Sequence, residues 1–222
     1  MNEQIIEKYK NAVNLSIEKA LLKKTKLPQK VLDIDGMSTD KTRIFLNSLV
    51  EILNAKYFEI GVWKGSTFVS ALYDNNPEYA VCLDNFSQFV PGKPGYDSSF
   101  GNPKSDFFLN LQLIKTKYEF FDCEAFSFDK TLFKNKFNVY FYDGRHDHED
   151  QKLALSYYLE SLEDDFIFIC DDWNFPQVKT GTAEGVIQNG IQIKQEWVLP
   201  ANFNGDKENW WNGLYVGVFS KS

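Results

Sequence analysis

Apolar positions fall into two rhythms along this chain. Short, nearly continuous apolar runs at 57–60, 79–83, 118–121, 137–142 and 164–170 read as strands buried on both faces. Between them the spacing lengthens toward a helical period. Residues 2–24 place Ile5, Ile6, Tyr9, Val13, Leu15, Ile17, Ala20 and Leu21 close to that period, and Pro28 is expected to end this first helix. A second helix is expected over 36–53, with Ser38, Thr39 or Asp40 as N-cap. Further helical stretches are 66–73, stopped by Asn75, Asn76 and Pro77, then 109–114 and 149–162. Strands alternating with helices predict a mostly parallel α/β sheet, doubly wound with helices on both faces. The tail breaks the rhythm, because runs at 191–199 and 213–220 have no helix between them and pair most simply as an antiparallel hairpin. One domain over 1–222 is expected, with 1–30 as a helical extension outside the sheet that either covers a substrate site or forms a dimer surface.

The first strand runs into Glu59-Ile-Gly61-Val-Trp-Lys-Gly65-Ser66-Thr67. Two glycines bracketing a strand-to-helix turn allow positive φ or a close ligand, and the helix that begins at Ser66 turns its free N–H groups to the same spot. Trp63 and Lys64 occupy positions that a pyrophosphate-binding glycine loop keeps bare. That disfavours a nicotinamide oxidoreductase. Glu59 ends the strand with a carboxylate suited to a cationic amino group. Asp84 ends the second strand 23 positions after Gly61, the spacing at which an acid reaches ribose hydroxyls in nucleotide-binding α/β folds; the plain alternative is a cap on the following loop. Asp122 ends the third strand, where an acid is placed to meet an adenine amino group. Residues 86–106 form a long loop with Pro91, Gly92, Pro94, Gly95 and Gly101 among Phe86, Phe89, Tyr96 and Phe100, a pattern that fits an aromatic lid.

The fourth strand ends in Asp143-Gly-Arg-His146-Asp-His148 and the fifth in Asp171-Asp172. Ligands of open α/β sheets bind beyond the carboxyl ends of the strands, so three carboxylates, Asp143, Asp171 and Asp172, are expected to converge. Unpaired, they would raise one another's pKa. A hard divalent cation relieves this, and an all-oxygen set suits Mg²⁺ or Mn²⁺ better than zinc. Helix caps or ion pairs with Arg145 or Lys179 are the alternative. Both histidines of the chain, His146 and His148, lie in the same loop. His146 is a candidate base, and His148 is expected to open the next helix with Asp147 as cap.

Composition narrows the function. A formal charge of −7 without an extended basic cluster argues against nucleic acid and for a small-molecule partner. Cys82, Cys123 and Cys170 are odd in number and sit in or beside apolar runs, as reduced residues of a cytoplasmic protein do. No run reaches the roughly 18 apolar residues of a membrane helix. Sixteen per cent aromatic residues leaves material for lining a sugar or planar site beyond the core.

Glu-x-Gly-x-x-x-Gly at 59–65 resembles the first motif of class I S-adenosylmethionine-dependent methyltransferases. Asp143-Gly-x-His146 with Asp171-Asp172 resembles, within that class, the sugar O-methyltransferases of the macrolide and aminocoumarin type, and more distantly catechol O-methyltransferase. The resemblance spans roughly residues 36–220. It implies the Rossmann-like class I fold, S-adenosylmethionine held by Glu59, Gly61, Gly65, Ser66 and Asp84, a divalent metal on Asp143, Asp171 and Asp172, and methyl transfer to a hydroxyl of a small molecule or sugar. Arg145 stands where the sugar enzymes carry an aspartate, and His146 where the catechol enzyme carries its lysine base. A non-catalytic nucleotide-binding or assembly module is the rival reading. The turn at 210–213, Trp-Trp-Asn-Gly, either contacts the acceptor or buries aromatic surface against the hairpin.

Overall fold

In the computed structural model, which describes residues 2–87 and 98–222, strand side chains alternate between two separate cores. In β1 (Lys56–Ile60), Tyr57 joins one core while Phe58 and Ile60 join the other. The same alternation continues through β2 (Tyr79–Leu83), β4 (Phe137–Tyr142) and β5 (Leu162–Cys170), whose pleat sends successive residues to opposite faces. β3 (Glu119–Phe121) closes one edge. At the other edge β6 (Gln192–Leu199) and β7 (Leu214–Ser220) form the expected hairpin, with β7 inserted antiparallel against β5. The order β3-β2-β1-β4-β5-β7-β6, parallel from β3 to β5, is the doubly wound class I arrangement.

One face of the sheet carries α1 (Asn2–Leu21), α2 (Gln29–Leu32), α3 (Asp40–Ile52), α4 (Ser66–Leu72) and α5 (Pro103–Asn110). The other carries α6 (His148–Tyr158) and α7 (Pro176–Gln188). Thr39 is the N-cap of α3, its hydroxyl accepting the Thr42 N–H. Asp147 caps α6 from its expected place. α1 spends its buried stripe, Ile6, Tyr9, Ala12, Val13 and Ala20, against α3 and the sheet. Its Ser16 meets Ser48 at 3.2 Å, and its Asn14 accepts the Trp197 indole N–H at 2.9 Å.

Several boundaries differ from expectation. α1 stops at Leu21, and Pro28 instead precedes α2 as its N-cap, a position where the fixed proline φ is no obstacle. α5 begins at Pro103, six residues before the expected start, and a short 3₁₀ turn follows it. α6 ends at Tyr158. α7 has no counterpart in the sequence reading. Its Gly181 lets it lie against α6: a Cβ there would come within 2.3 Å of the His148 carbonyl oxygen. Of the expected lid, residues 88–97 lie outside the described residues, while Phe86 is core, packed against Phe107 and Phe120. Among the described residues no helix is long and apolar enough to cross a membrane.

Candidate active site

Three neighbouring strands end in register: Ile60 pairs with Tyr142, and Tyr142 with Cys170. Gly61, Asp143 and Asp171 therefore follow side by side at the carboxyl edge. Gly61 leaves β1 with φ 83°, and a Cβ there would sit 1.9 Å from the Asp143 carbonyl oxygen. Both the left-handed backbone and the passing strand demand glycine. Gly65 has φ 84°, with the Phe107 ring 2.9 Å from where a Cβ would be. Between them Trp63 takes φ 44°, rare for a bulky residue. Lys64 ties the turn down through Asp35 at 2.8 Å and Asp106 at 3.3 Å.

The acids around this turn have distinct surroundings. Glu59 is fully buried, and its two oxygens accept the Tyr57 and Thr67 hydroxyls, each at 2.5 Å. It braces β1 to α4 from beneath the turn. Burial pushes its carboxyl up to about 8 against those two donors. Asp84 reaches across to the turn: Oδ2 accepts the Val62 and Trp63 N–H groups at 2.9 Å, and Oδ1 accepts Phe86 N–H at 2.7 Å. Three of a carboxylate's roughly four acceptor positions are thus taken. Burial raises Asp84, and these three N–H groups hold it down. Asp122 is half exposed and paired with Lys104 of α5. Ser66 is buried, with its hydroxyl 3.1 Å from that of Ser38.

At the ends of β4 and β5, Asp143, His146 and Asp172 each bring a ligand atom within 4.8 Å of the others. Asp171 is not a member of that group, although its buried carboxyl acts on Asp143. Burial first, then Asp171 and Asp172, push Asp143 well above the usual carboxylate range; burial and then Asp172 do the same to Asp171. Among the described residues neither Arg145 nor Lys179 forms an ion pair with them. Among the described residues, the ionisable side chain hydrogen-bonded to these carboxylates is His146, whose Nε2 lies 2.6 Å from Asp172 Oδ2. That hydrogen bond raises the imidazole pKa, partly opposed by burial. The ring also stacks on Phe175, with centroids 5.8 Å apart. Asp172 itself takes φ 60° and is fixed by Asn212, which donates to its Oδ1 at 2.5 Å. Backbone bonds from Trp173 to Gly213 and from Asn174 to Asn212 pin the two loops together. The raised carboxyls of Asp143 and Asp171, with no lysine or arginine paired to them among the described residues, fit a Mg²⁺ or Mn²⁺ ion.

A cavity of about 710 Å³ opens beside the turn, lined among others by Met37, Ser38, Arg43, Trp63, Phe100 and Trp211. The Trp-Trp pair divides its roles. Trp210 is core, edge-on to Phe45, whereas Trp211, at φ 57°, faces the cavity. Trp63 and Phe100 pack edge to face at 5.8 Å on the same wall. Lys23, Trp63 and Trp211, which all line this cavity, take left-handed backbone, as does Asp172 at the acid cluster, and such strain is commonly found at functional sites. Arg43 carried no signal in the sequence, and Asn212, although it lies in the turn at 210–213 offered as an acceptor contact, gains its place on Asp172 only through a distant segment.

A family model described as a methyltransferase domain matches residues 58–173, from the first glycine-turn strand through the acidic strand end. No curated protein matches the chain in sequence. Among solved structures, an O-methyltransferase from Bacillus cereus in complex with SAH superposes with TM-score 0.58 at 12% identity, covering 95% of this chain and 99% of that one. The O-methyltransferase TomG from Streptomyces achromogenes, involved in tomaymycin synthesis and in complex with SAM, gives 0.56 at 14%, covering 96% and 90%. The SAH-bound methyltransferase PaMTH1 of Podospora anserina gives 0.54 at 14%, covering 93% and 87%. At these identities the likeness is one of fold.

Proposed function

The chain belongs to the methyltransferase domain family, and from that premise we propose that it methylates a hydroxyl oxygen of a small molecule or sugar, with S-adenosylmethionine as donor and a divalent metal in the site. The observation that carries this reading is the grouping of Asp143, His146 and Asp172 at two strand ends beside the Gly61–Gly65 turn. S-adenosylmethionine supplies an activated methyl group. Gly61, Gly65 and Ser66 shape the turn that receives it, with Glu59 holding that turn from below. The acceptor position left on Asp84 takes a ribose hydroxyl, and Asp122 stands at the next strand end for the adenine side.

Asp143 and Asp172 would hold Mg²⁺ or Mn²⁺, with Asp171 behind them. Bound there, the ion supplies Lewis acidity that makes a hydroxyl easier to deprotonate. His146 keeps its Nε2 proton on Asp172, which leaves Nδ1 free to take the proton of the acceptor hydroxyl. Asn212 and Phe175 hold that dyad in one orientation. Trp63, Phe100 and Trp211 offer flat apolar surface to a sugar or planar ring. Much of the rate advantage then comes from fixing two reactants side by side. The rival non-catalytic module leaves the His146–Asp172 pair without a task.

Transfer of tritiated methyl from S-adenosylmethionine to a panel of phenols and sugars, run with Mg²⁺ and with EDTA, tests this. Alkali-stable methyl ethers that disappear with EDTA, and fall about a hundredfold in His146→Ala, are expected. Turnover that survives chelation would remove the metal, and turnover unchanged in His146→Ala would remove the base.

A further inference from the structure

Partly exposed acids such as Glu163, Glu119 and Asp122 are neutralised by Lys56, Lys134 and Lys104. Asp172 is 4% exposed, and among the described residues it has no such partner. Its Oδ2 meets the His146 imidazole, and its Oδ1 accepts from the Asn212 amide at 2.5 Å. The orientation of that amide is set from behind. Asn212 Oδ1 accepts the Gly205 N–H at 2.7 Å, so the NH₂ end must face the carboxylate. A neutral amide orients a carboxylate by donating to it and leaves its negative charge in place for a cation. A lysine there would orient it and neutralise it at once.

The hairpin loop between β6 and β7 is built to keep this amide in position. Trp173 N–H donates to the Gly213 carbonyl at 3.0 Å and Asn174 N–H to that of Asn212 at 2.7 Å, so the segment after β5 and the end of the loop run zipped together. Gly213 takes φ 86°, and a Cβ there would lie 2.8 Å from Asn174 Oδ1. Asp172 takes φ 60°, a backbone state that persists only where the surroundings over-determine it. These backbone bonds alone would brace the two segments; the Asn212 side chain adds a donor aimed at one carboxylate oxygen. We propose that Asn212 is a positioning residue of the metal site: it holds Asp172 in the orientation that brings ligand atoms of Asp143, His146 and Asp172 within 4.8 Å of one another. The inference rests on the metal reading above. It also makes the loop that presents Trp211 to the cavity a part of the metal site.

Mn²⁺ is the probe, because its free form is measured directly by electron paramagnetic resonance. The chain is titrated as wild type, as Asn212→Leu, which keeps the side-chain bulk and loses the amide, and as Phe203→Ala, an exposed position of the same loop. A melting transition checks that each is folded. The wild type is expected to bind Mn²⁺, Asn212→Leu to bind it about tenfold to a hundredfold more weakly, and Phe203→Ala to match the wild type. Equal affinity in wild type and Asn212→Leu overturns the inference and leaves the metal reading standing. Equal weakening by Phe203→Ala overturns it too, since general order of the loop would then govern binding. A folded wild type that takes up no Mn²⁺ removes the metal reading and the inference with it. If Asn212→Leu does not fold, the side-chain amide NMR signal of Asn212, assigned through Asn212→Asp, is followed in the wild type with Mg²⁺. Movement of that signal together with the backbone signals of Asp143 and Gly144 supports the role. A still amide beside moving Asp143 and Gly144 signals overturns it.

Discussion

Glu59 is a carboxyl group that water does not reach. Its pKa near 8 in the folded chain stands against 4.5 for an ordinary glutamate. Between those values the folded protein holds a proton that the unfolded chain releases, so this residue's contribution to stability is fully present below about pH 4.5 and is lost as pH rises through 8. Glu59→Gln removes the titration and keeps the volume. Thermal melts from about pH 5 to about pH 8 should therefore show the variant gaining on the wild type as pH rises. Parallel pH profiles would contradict the buried-acid description. The same residue shows how far sequence reading reaches. Glu59 is legible as a strand-end acid of a glycine turn, but the side of the sheet it occupies depends on Tyr57 and Thr67 meeting it, and neither contact is written in a motif. Asp84 and Asp122 were legible as strand ends for the same reason, and their partners, the turn amides and Lys104, were not.

The helices and strands divide along similar lines. The central strands were legible because parallel strands buried on both faces leave continuous apolar runs, and the tail hairpin because two such runs follow without a helical interval. α7 was not. Its sequence, Pro176-Gln-Val-Lys-Thr-Gly-Thr-Ala-Glu-Gly-Val-Ile-Gln, carries two glycines that read as breakers and a weak apolar stripe. Tertiary packing makes it a helix: Gly181 and Gly185 allow the close approach to α6 that buries Val178 and Val186. Gly181→Ala gains helix propensity but drives a methyl group onto the His148 carbonyl. The clash should win, lowering stability by about 1–3 kcal/mol in urea denaturation. A neutral or stabilising effect would mean that α6 and α7 do not meet as described.

At the scale of the whole molecule, the sheet brings together what the chain separates by more than a hundred residues. Ser38 and Arg43 come from before β1, the turn follows it, His146 and Asp172 follow β4 and β5, and Trp211 and Asn212 come from the hairpin loop. The nearness of Asp143 to Asp172 was foreseeable because open α/β sheets gather strand ends, whereas Asp171, expected with them, falls outside the group they form with His146. The cavity wall was legible only in pieces, Phe100 of the aromatic loop and the turn at 210–213 among them, since how the helix and hairpin loops meet there depends on long-range packing. α1 stays behind this assembly, packed on α3 and the sheet, and no α1 residue lines the larger cavity among the described residues. The measurement that bears most directly on the proposed activity is calorimetric titration of the folded wild-type chain with S-adenosylhomocysteine. Saturable binding of one molecule per chain is expected, with a rise in melting temperature that grows with ligand concentration. A folded chain that takes up no S-adenosylhomocysteine, with no shift in its melting temperature, would contradict methyl transfer from S-adenosylmethionine and leave the acid cluster to another chemistry.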